Sequence, residues 1–374
     1  MAPTTLIAAD RLFDGTSFRS GWVRIEGGTI VEVGDGVPPA HPDLSLPVLA
    51  PGFVDVHCHG GGGASFVTED PADVARAAAT HLAHGTTTVV ASLVTGSTAA
   101  LERQVDVLTL EVERGTIAGI HLEGPWLAPE YRGAHDPALL VIPAPADVAA
   151  LVDRGRGTIR MVTIAPELPG ALESIALLAA RGVVAAVGHT GADHGTTRAA
   201  IAAGATGATH LFNAMPPMHH RAPGPVLALW ADERVFVELI VDGVHVAPEL
   251  AAFVMATAPD RSVLVTDAMA AAGSADGDYV LGDLPVEVRD GVARLAGTDT
   301  IAGSTLTLDR AIRTAVAAGV DLTDALRAAT STPARHLGLH GVGRIAAGHH
   351  ADLVALDDGL AVTHVMRHGQ AIHP

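Results

Sequence analysis

Glu123 closes an apolar run, residues 116–122, that reads as a buried strand. A carboxylate at the end of such a strand needs a strong partner. A metal ion is one candidate, and a salt bridge within the core is the plainer alternative. The arrangement recurs along the chain. His57, His59, His189, His210, His245 and Asp267 stand at or just beyond the ends of similar runs. Imidazole and carboxylate together suit zinc or iron, and a catalytic site of this kind keeps a position open for water. The two-residue spacing of His57 and His59 puts both rings on one face of an extended strand. Cys58 then points the other way, as a small core residue. Two or three ligands drawn from Glu123, His189 and His210 would make one site with water. His57, His59 and Asp267 would make or join a second.

An absence narrows the chemistry. The chain has no lysine, since all 23 of its basic residues are arginine. That removes Schiff-base chemistry and a lysine carbamate bridging two metals. It also makes the glycines at 60–63 a turn after a strand, because a P-loop would need the Lys-Ser/Thr pair. The net charge of -18 argues against nucleic acid and anionic membranes as partners. A local pocket with a few arginines can still take an anionic small molecule. No signal peptide is read at the start, and no apolar run reaches the length of a membrane span. The single cysteine cannot form an internal disulfide, which fits a reducing cytoplasm.

The elements that must position these residues follow from the pattern. Residues 1–50 alternate short β-like runs with turns, Gly27-Gly28 being a hairpin turn and Pro38, Pro39, Pro42 and Pro47 a stiff connector. From Pro51 the pattern becomes strand and helix in alternation. Strands are expected at 52–56, 86–92, 116–122, 158–164, 183–188, 206–210, 235–241 and 263–266. The first intervening helix has Asp70 as its cap, Pro71 at its first position and Gly85 beyond its end, with Val74, Ala78 and Leu82 on one face. Other helices are expected near 98–114, 171–180, 195–203 and 248–258. Eight apolar strands with helices between them indicate an α/β chain, a (β/α)8 TIM-like barrel. An open doubly wound sheet is the alternative, but it would need a dinucleotide or phosphate loop. A β excursion, 279–295, turns at Asp290-Gly291. Helices near 305–318, 323–330 and 333–338 follow, and β character resumes after 343. The organisation is a barrel over 51–338 and a small β-sandwich domain from both termini, 1–50 and 339–374. Active sites of such barrels lie at the C-terminal strand ends, where the His, Glu and Asp residues fall. His81 and His84, on a helix, are expected to face solvent, and His349 and His350 to be turn residues.

Specific segments go further. Residues 51–60 (PGFVDVHCHG), 121–125 (HLEGP), 188–190 (GHT), 209–215 (THLFNAM), 242–245 (DGVH), 266–268 (TDA) and 301–304 (IAGS) together resemble the N-acetylglucosamine-6-phosphate deacetylase family of the amidohydrolase superfamily. The His-x-His pair and the Asp after strand 8 indicate only the superfamily; LEGP and FNAM are specific to this branch. The resemblance implies metal-dependent hydrolysis of the N-acetyl amide of N-acetylglucosamine 6-phosphate to glucosamine 6-phosphate and acetate, in amino-sugar catabolism and cell-wall recycling. It assigns the principal metal to Glu123, His189 and His210, the acid/base role to Asp267, and polarisation of the carbonyl to His135. It places Ala134, Asn213, Ala214, Arg221, His245, Ile301, Ala302 and Gly303 around the sugar phosphate. Members of the family differ at the first strand, some holding one metal. Since His57 and His59 are both present here, one or two divalent ions, zinc or iron, are expected. In relatives the arginine can reach across a dimer interface, which implies a homodimer. A different amidohydrolase, or a barrel that has lost catalysis and only binds, are the competing readings. The missing lysine counts against the cyclic-amide hydrolases that use a lysine carbamate, and the complete ligand set counts against a dead barrel.

Overall fold

The structure is a computed structural model that describes residues 4–372. Eight parallel strands lie side by side in chain order: Phe53–Cys58, Thr86–Leu93, Gly119–Glu123, Ile159–Ile164, Val184–Val187, Gly207–Ala208, Phe236–Leu239 and Ser262–Leu264. The segment after the last strand returns to the first. The Asp267 N–H donates to the His57 carbonyl and the His59 N–H to the Ala268 carbonyl, both at 2.8 Å. This contact closes the barrel, so the sheet is not an open doubly wound one. Covered on both sides, the first three strands are buried at every position. The third strand starts at Gly119, three residues later than the apolar run.

Helices cover the outside. Asp70 caps the helix Pro71–Ala83 by accepting the Ala72 N–H. Its inward face is Val74, Ala77, Ala78 and His81. His81 is therefore buried, contrary to the solvent-facing position expected for it. The helix packs on the glycine turn after the first strand, and His81 takes the core position one turn beyond Ala78. Its Nε2–H donates to the Gly60 carbonyl at 2.8 Å, beside Cys58 Sγ at 3.2 Å. Cys58 is fully buried.

Both chain ends build one further sheet of seven strands. Gln370–Ile372, Val362–Arg367, Leu353–Leu356, Leu44–Pro51, Thr4–Phe13, Phe18–Glu26 and Thr29–Asp35 lie in that order. Ile7, Leu12, Val23, Ile30, Leu49 and Leu353 form its core. The expected connector thus carries a strand. Its antiparallel neighbour begins only at Val48, so Pro47 stands where one edge is open and no donor is needed.

After the eighth barrel strand, Gly277–Leu281, Leu284–Arg289 and Val292–Leu295 form an antiparallel sheet. Asp290 and Gly291 turn it with φ of 51° and 72°, the left-handed pair that a tight hairpin requires. Leu281, Val286, Val288 and Ala293 pack on Val94, Ala134, Met269 and Ala302. The small sheet therefore walls the C-terminal mouth of the barrel. Among the described residues no helix is long and apolar enough to cross a membrane.

Candidate active site

A cavity of about 390 Å³ opens at that mouth. Its lining includes His59, Glu123, His135, His189, His210, His245 and Asp267, with Asn213, Ala214, Ala134, Ile301 and Gly303 around them. Six of the strand ends singled out from sequence thus meet at one place. His57 is fully buried just behind the lining. Ala302 is also buried, and its N–H is used in pairing with the Ala293 carbonyl. Arg221 is exposed on its loop, where its guanidinium donates to His220 at 2.7 Å, and it does not line the cavity.

The backbone turns sharply where the donors leave their strands. His189, His210 and Asp267 have φ of 47°, 28° and 48°, and Phe212 and Ala214 are also left-handed. Side-chain-bearing residues pay roughly 1–2 kcal/mol for this conformation, and such strain gathers at functional sites. Here it swings three polar side chains toward the barrel axis.

Glu123 is the centre of the cluster. Its Oε1 lies 3.2 Å from His189 Nε2 and 3.1 Å from His210 Nε2, and those two nitrogens are 3.0 Å apart. Its Oε2 lies 3.1 Å from His59 Nε2 and 3.6 Å from His135 Nε2. Asp267 Oδ1 is 3.2 Å from His59 Nε2 and 3.5 Å from His57 Nε2. Two overlapping donor sets result, Glu123 with His189 and His210, and His57, His59, Glu123 and Asp267.

The proton positions show what these sets are suited to hold. His189 Nδ1–H donates to the Tyr131 carbonyl at 2.9 Å, so its Nε2 presents a lone pair to a carboxylate. His59 Nδ1–H likewise donates to the Ser92 carbonyl at 3.1 Å, and His57 Nδ1–H to Glu238 at 3.0 Å. Their Nε2 atoms then face each other at 3.2 Å. Lone pairs and carboxylate oxygens converging in a buried space repel unless a cation lies among them. The outer hydrogen bonds are the kind that orient histidine ligands. The donor set therefore fits a divalent metal.

Without a metal, protons take the place of the cation. Burial pushes the His57 and His59 imidazoles down, but Glu123 and Asp267 outweigh it, raising His57 well above its usual value and His59 to about 9. Burial dominates at His189, lowering it to about 4. Burial raises the Glu123 and Asp267 carboxyls, yet the His57 charge and the surrounding imidazoles hold both well below the usual range. Both carboxylates stay ionised.

Three supporting carboxylates have roles that the sequence reading did not assign, although Asp55 and Asp242 lie within segments 51–60 and 242–245. Glu238 Oε2 holds His57 and also accepts the His210 N–H at 3.2 Å. Asp55 accepts the Thr266 hydroxyl at 2.6 Å, tying the first strand to the last, and burial pushes its carboxyl up to about 7. Asp242 accepts His245 Nδ1–H at 2.7 Å. The available signal for Glu238 and Asp55 was a lone carboxylate inside an apolar strand.

Comparisons with known proteins place these features in context. The amidohydrolase family model matches residues 48–372. A structure of N-acetyl-D-glucosamine-6-phosphate deacetylase from Mycobacterium smegmatis, in complex with N-acetyl-D-glucosamine 6-phosphate, superposes with a TM-score of 0.97 at 52% identity, covering 99% of this chain and 100% of that one. The N-acetylgalactosamine-6-phosphate deacetylase of Escherichia coli O157:H7 is 37% identical, over 94% of this chain and 95% of its own length. The bovine N-acetylglucosamine-6-phosphate deacetylase is 40% identical, over 84% and 81%.

Proposed function

The chain belongs to the amidohydrolase family, and on that premise we propose that it hydrolyses the N-acetyl amide of N-acetylglucosamine 6-phosphate, releasing acetate and glucosamine 6-phosphate. The observation that carries this reading is one cavity holding a metal-type donor set with Asp267 and His135 on its wall. Glu123, His189 and His210 would hold the principal metal, zinc or iron. His57 and His59, with Glu123 shared and Asp267 beside them, would hold a second. When bound, such a metal acidifies water to a pKa of about 7 and draws charge from an acyl oxygen.

The chain's own groups do the rest. Asp267, ionised, takes the proton of the attacking water and delivers it to the amide nitrogen as the C–N bond breaks. One carboxylate serves both steps because it stands at the end of the eighth strand, beside the donor cluster and open to the cavity. His135, with Nε2 near Glu123, donates to the acyl oxygen and stabilises the charge that develops there. Ala134, Asn213, Ala214, His245 and the 301–303 segment would line the sugar phosphate. Such chemistry serves amino-sugar catabolism and cell-wall recycling, and we assign it to the cytoplasm.

Acetate release from N-acetylglucosamine 6-phosphate by metal-loaded protein tests the reading, and absence of turnover would end it. N-acetylgalactosamine 6-phosphate belongs in the same assay, since one relative carries that name. Combining His57→Asn with His59→Asn should remove at most one of two metals. Loss of all metal in elemental analysis would show the ligands to be divided differently.

Among the described residues none that lines the cavity is an arginine, although the proposed substrate carries a phosphate. Arg221, exposed on the loop eleven residues after His210, is the proposed cation, reaching the neighbouring site within a homodimer. Guanidinium matches phosphate oxygens in a fork. Arg221→Ala should lower kcat/KM for the phosphorylated sugar by ~10- to 100-fold, the size of a hydrogen bond to a charged group. Unphosphorylated N-acetylglucosamine should be used almost as before. An equal loss on both sugars would mean that Arg221 holds the loop or the dimer together and does not read the phosphate.

A further inference from the structure

We infer that Thr95 is the positioning residue that fixes the His135 ring, which brings the second barrel strand into a site to which it supplies no metal-type donor. The inference rests on the proposed role of His135 as donor to the acyl oxygen. That role needs a proton on Nε2, the ring atom 3.6 Å from Glu123 Oε2. The opposite nitrogen decides whether it is there. The Thr95 backbone N–H points at His135 Nδ1 at 3.3 Å. An amide N–H can only donate, so Nδ1 accepts, and the single proton of a neutral ring sits on Nε2. The Thr95 hydroxyl lies 2.9 Å from the same Nδ1 and donates into it as well. Two donors from one residue thus set the tautomer and the tilt of the ring.

The surroundings are built for this hydroxyl. Thr95 lies two residues beyond the end of the strand Thr86–Leu93 and is buried. Gly124, directly after Glu123, has φ of +88°, and a Cβ there would come within 2.3 Å of Thr95 Oγ1. The glycine leaves room for the hydroxyl that holds His135. One short segment, Glu123-Gly124, therefore supplies the central metal-type carboxylate and the space in which the carbonyl donor is aligned.

Two measurements test the assignment. In 15N-histidine-labelled, metal-loaded protein, NMR reads the tautomer, with His135 identified by its loss in His135→Gln. An unprotonated Nδ1 is expected, and a protonated Nδ1 overturns the inference whether or not the enzyme turns over the proposed substrate. In steady-state assays on N-acetylglucosamine 6-phosphate, Thr95→Val keeps the shape and removes the hydroxyl, and should lower kcat by ~10- to 100-fold. KM should stay within about 3-fold, and Thr95→Ser should restore kcat to within about 3-fold of wild type. A Thr95→Val enzyme with wild-type kcat overturns the inference. So does Thr95→Ser as slow as Thr95→Val, since the methyl would then be what matters. If wild type itself fails to release acetate, the proposed function falls, and the NMR result alone decides the role of Thr95.

Discussion

Glu123→Ala will lose bound metal and activity together, and will lose more metal than any other single change at the site. The reason is geometric. Its Oε1 faces His189 and His210, and its Oε2 faces His59, so one substitution dismantles both donor sets. It also removes the negative charge that lets a cation sit among buried imidazoles. The activity lost should exceed the ~10²–10³-fold that a single oxyanion donor costs. His189→Ala and His210→Ala should empty only the principal site, with the same loss of turnover. Elemental analysis of purified variants, beside acetate release and a thermal melt to confirm folding, reads the result. Glu123→Gln keeps the shape and separates loss of charge from loss of packing. Full activity in metal-free protein, or wild-type metal content in Glu123→Ala, would overturn the assignment.

Asp267→Asn should lower kcat by at least ~10²-fold, the lower range for general acid–base catalysis, with KM little changed. Asparagine keeps the size and the backbone N–H that closes the barrel on the His57 carbonyl. It cannot accept a proton from water and return it to nitrogen. The carboxylate is well placed for that exchange, because it stands beside the donor cluster and opens on the cavity. Removing it also strips one donor from the second set, so metal content must be measured in the same sample. Near-normal turnover in this variant would assign the proton shuttle elsewhere, and His135 would be the next group to test.

Most of the elements, and the end of the barrel at which chemistry occurs, are legible in the sequence, the helices Pro145–Arg154 and Gly224–Ala231 being exceptions. Apolar runs of strand length, alternating with capped amphipathic segments, are local patterns. Each can be read without knowing what it packs against. Once eight such strands are laid parallel, their C-terminal ends fall together, and so do the histidines and carboxylates that close them. That much placed Glu123, His189, His210 and Asp267 near one another. How they meet is a matter of packing in three dimensions. That Glu123 lies between two donor sets depends on closure of the barrel and on left-handed backbone at His189, His210 and Asp267, which no local propensity announces. The tautomers depend on partners remote in the chain, such as Glu238 for His57, 181 residues away. His81 went inward because the glycine turn offered its ring a carbonyl, a contact invisible in the helix's own pattern. Arg221 came to rest on an exposed loop outside the cavity, because proximity in sequence to His210 does not set the direction in which a loop leaves its strand. Periodicity is a property of neighbours along the chain, and convergence is a property of the closed barrel.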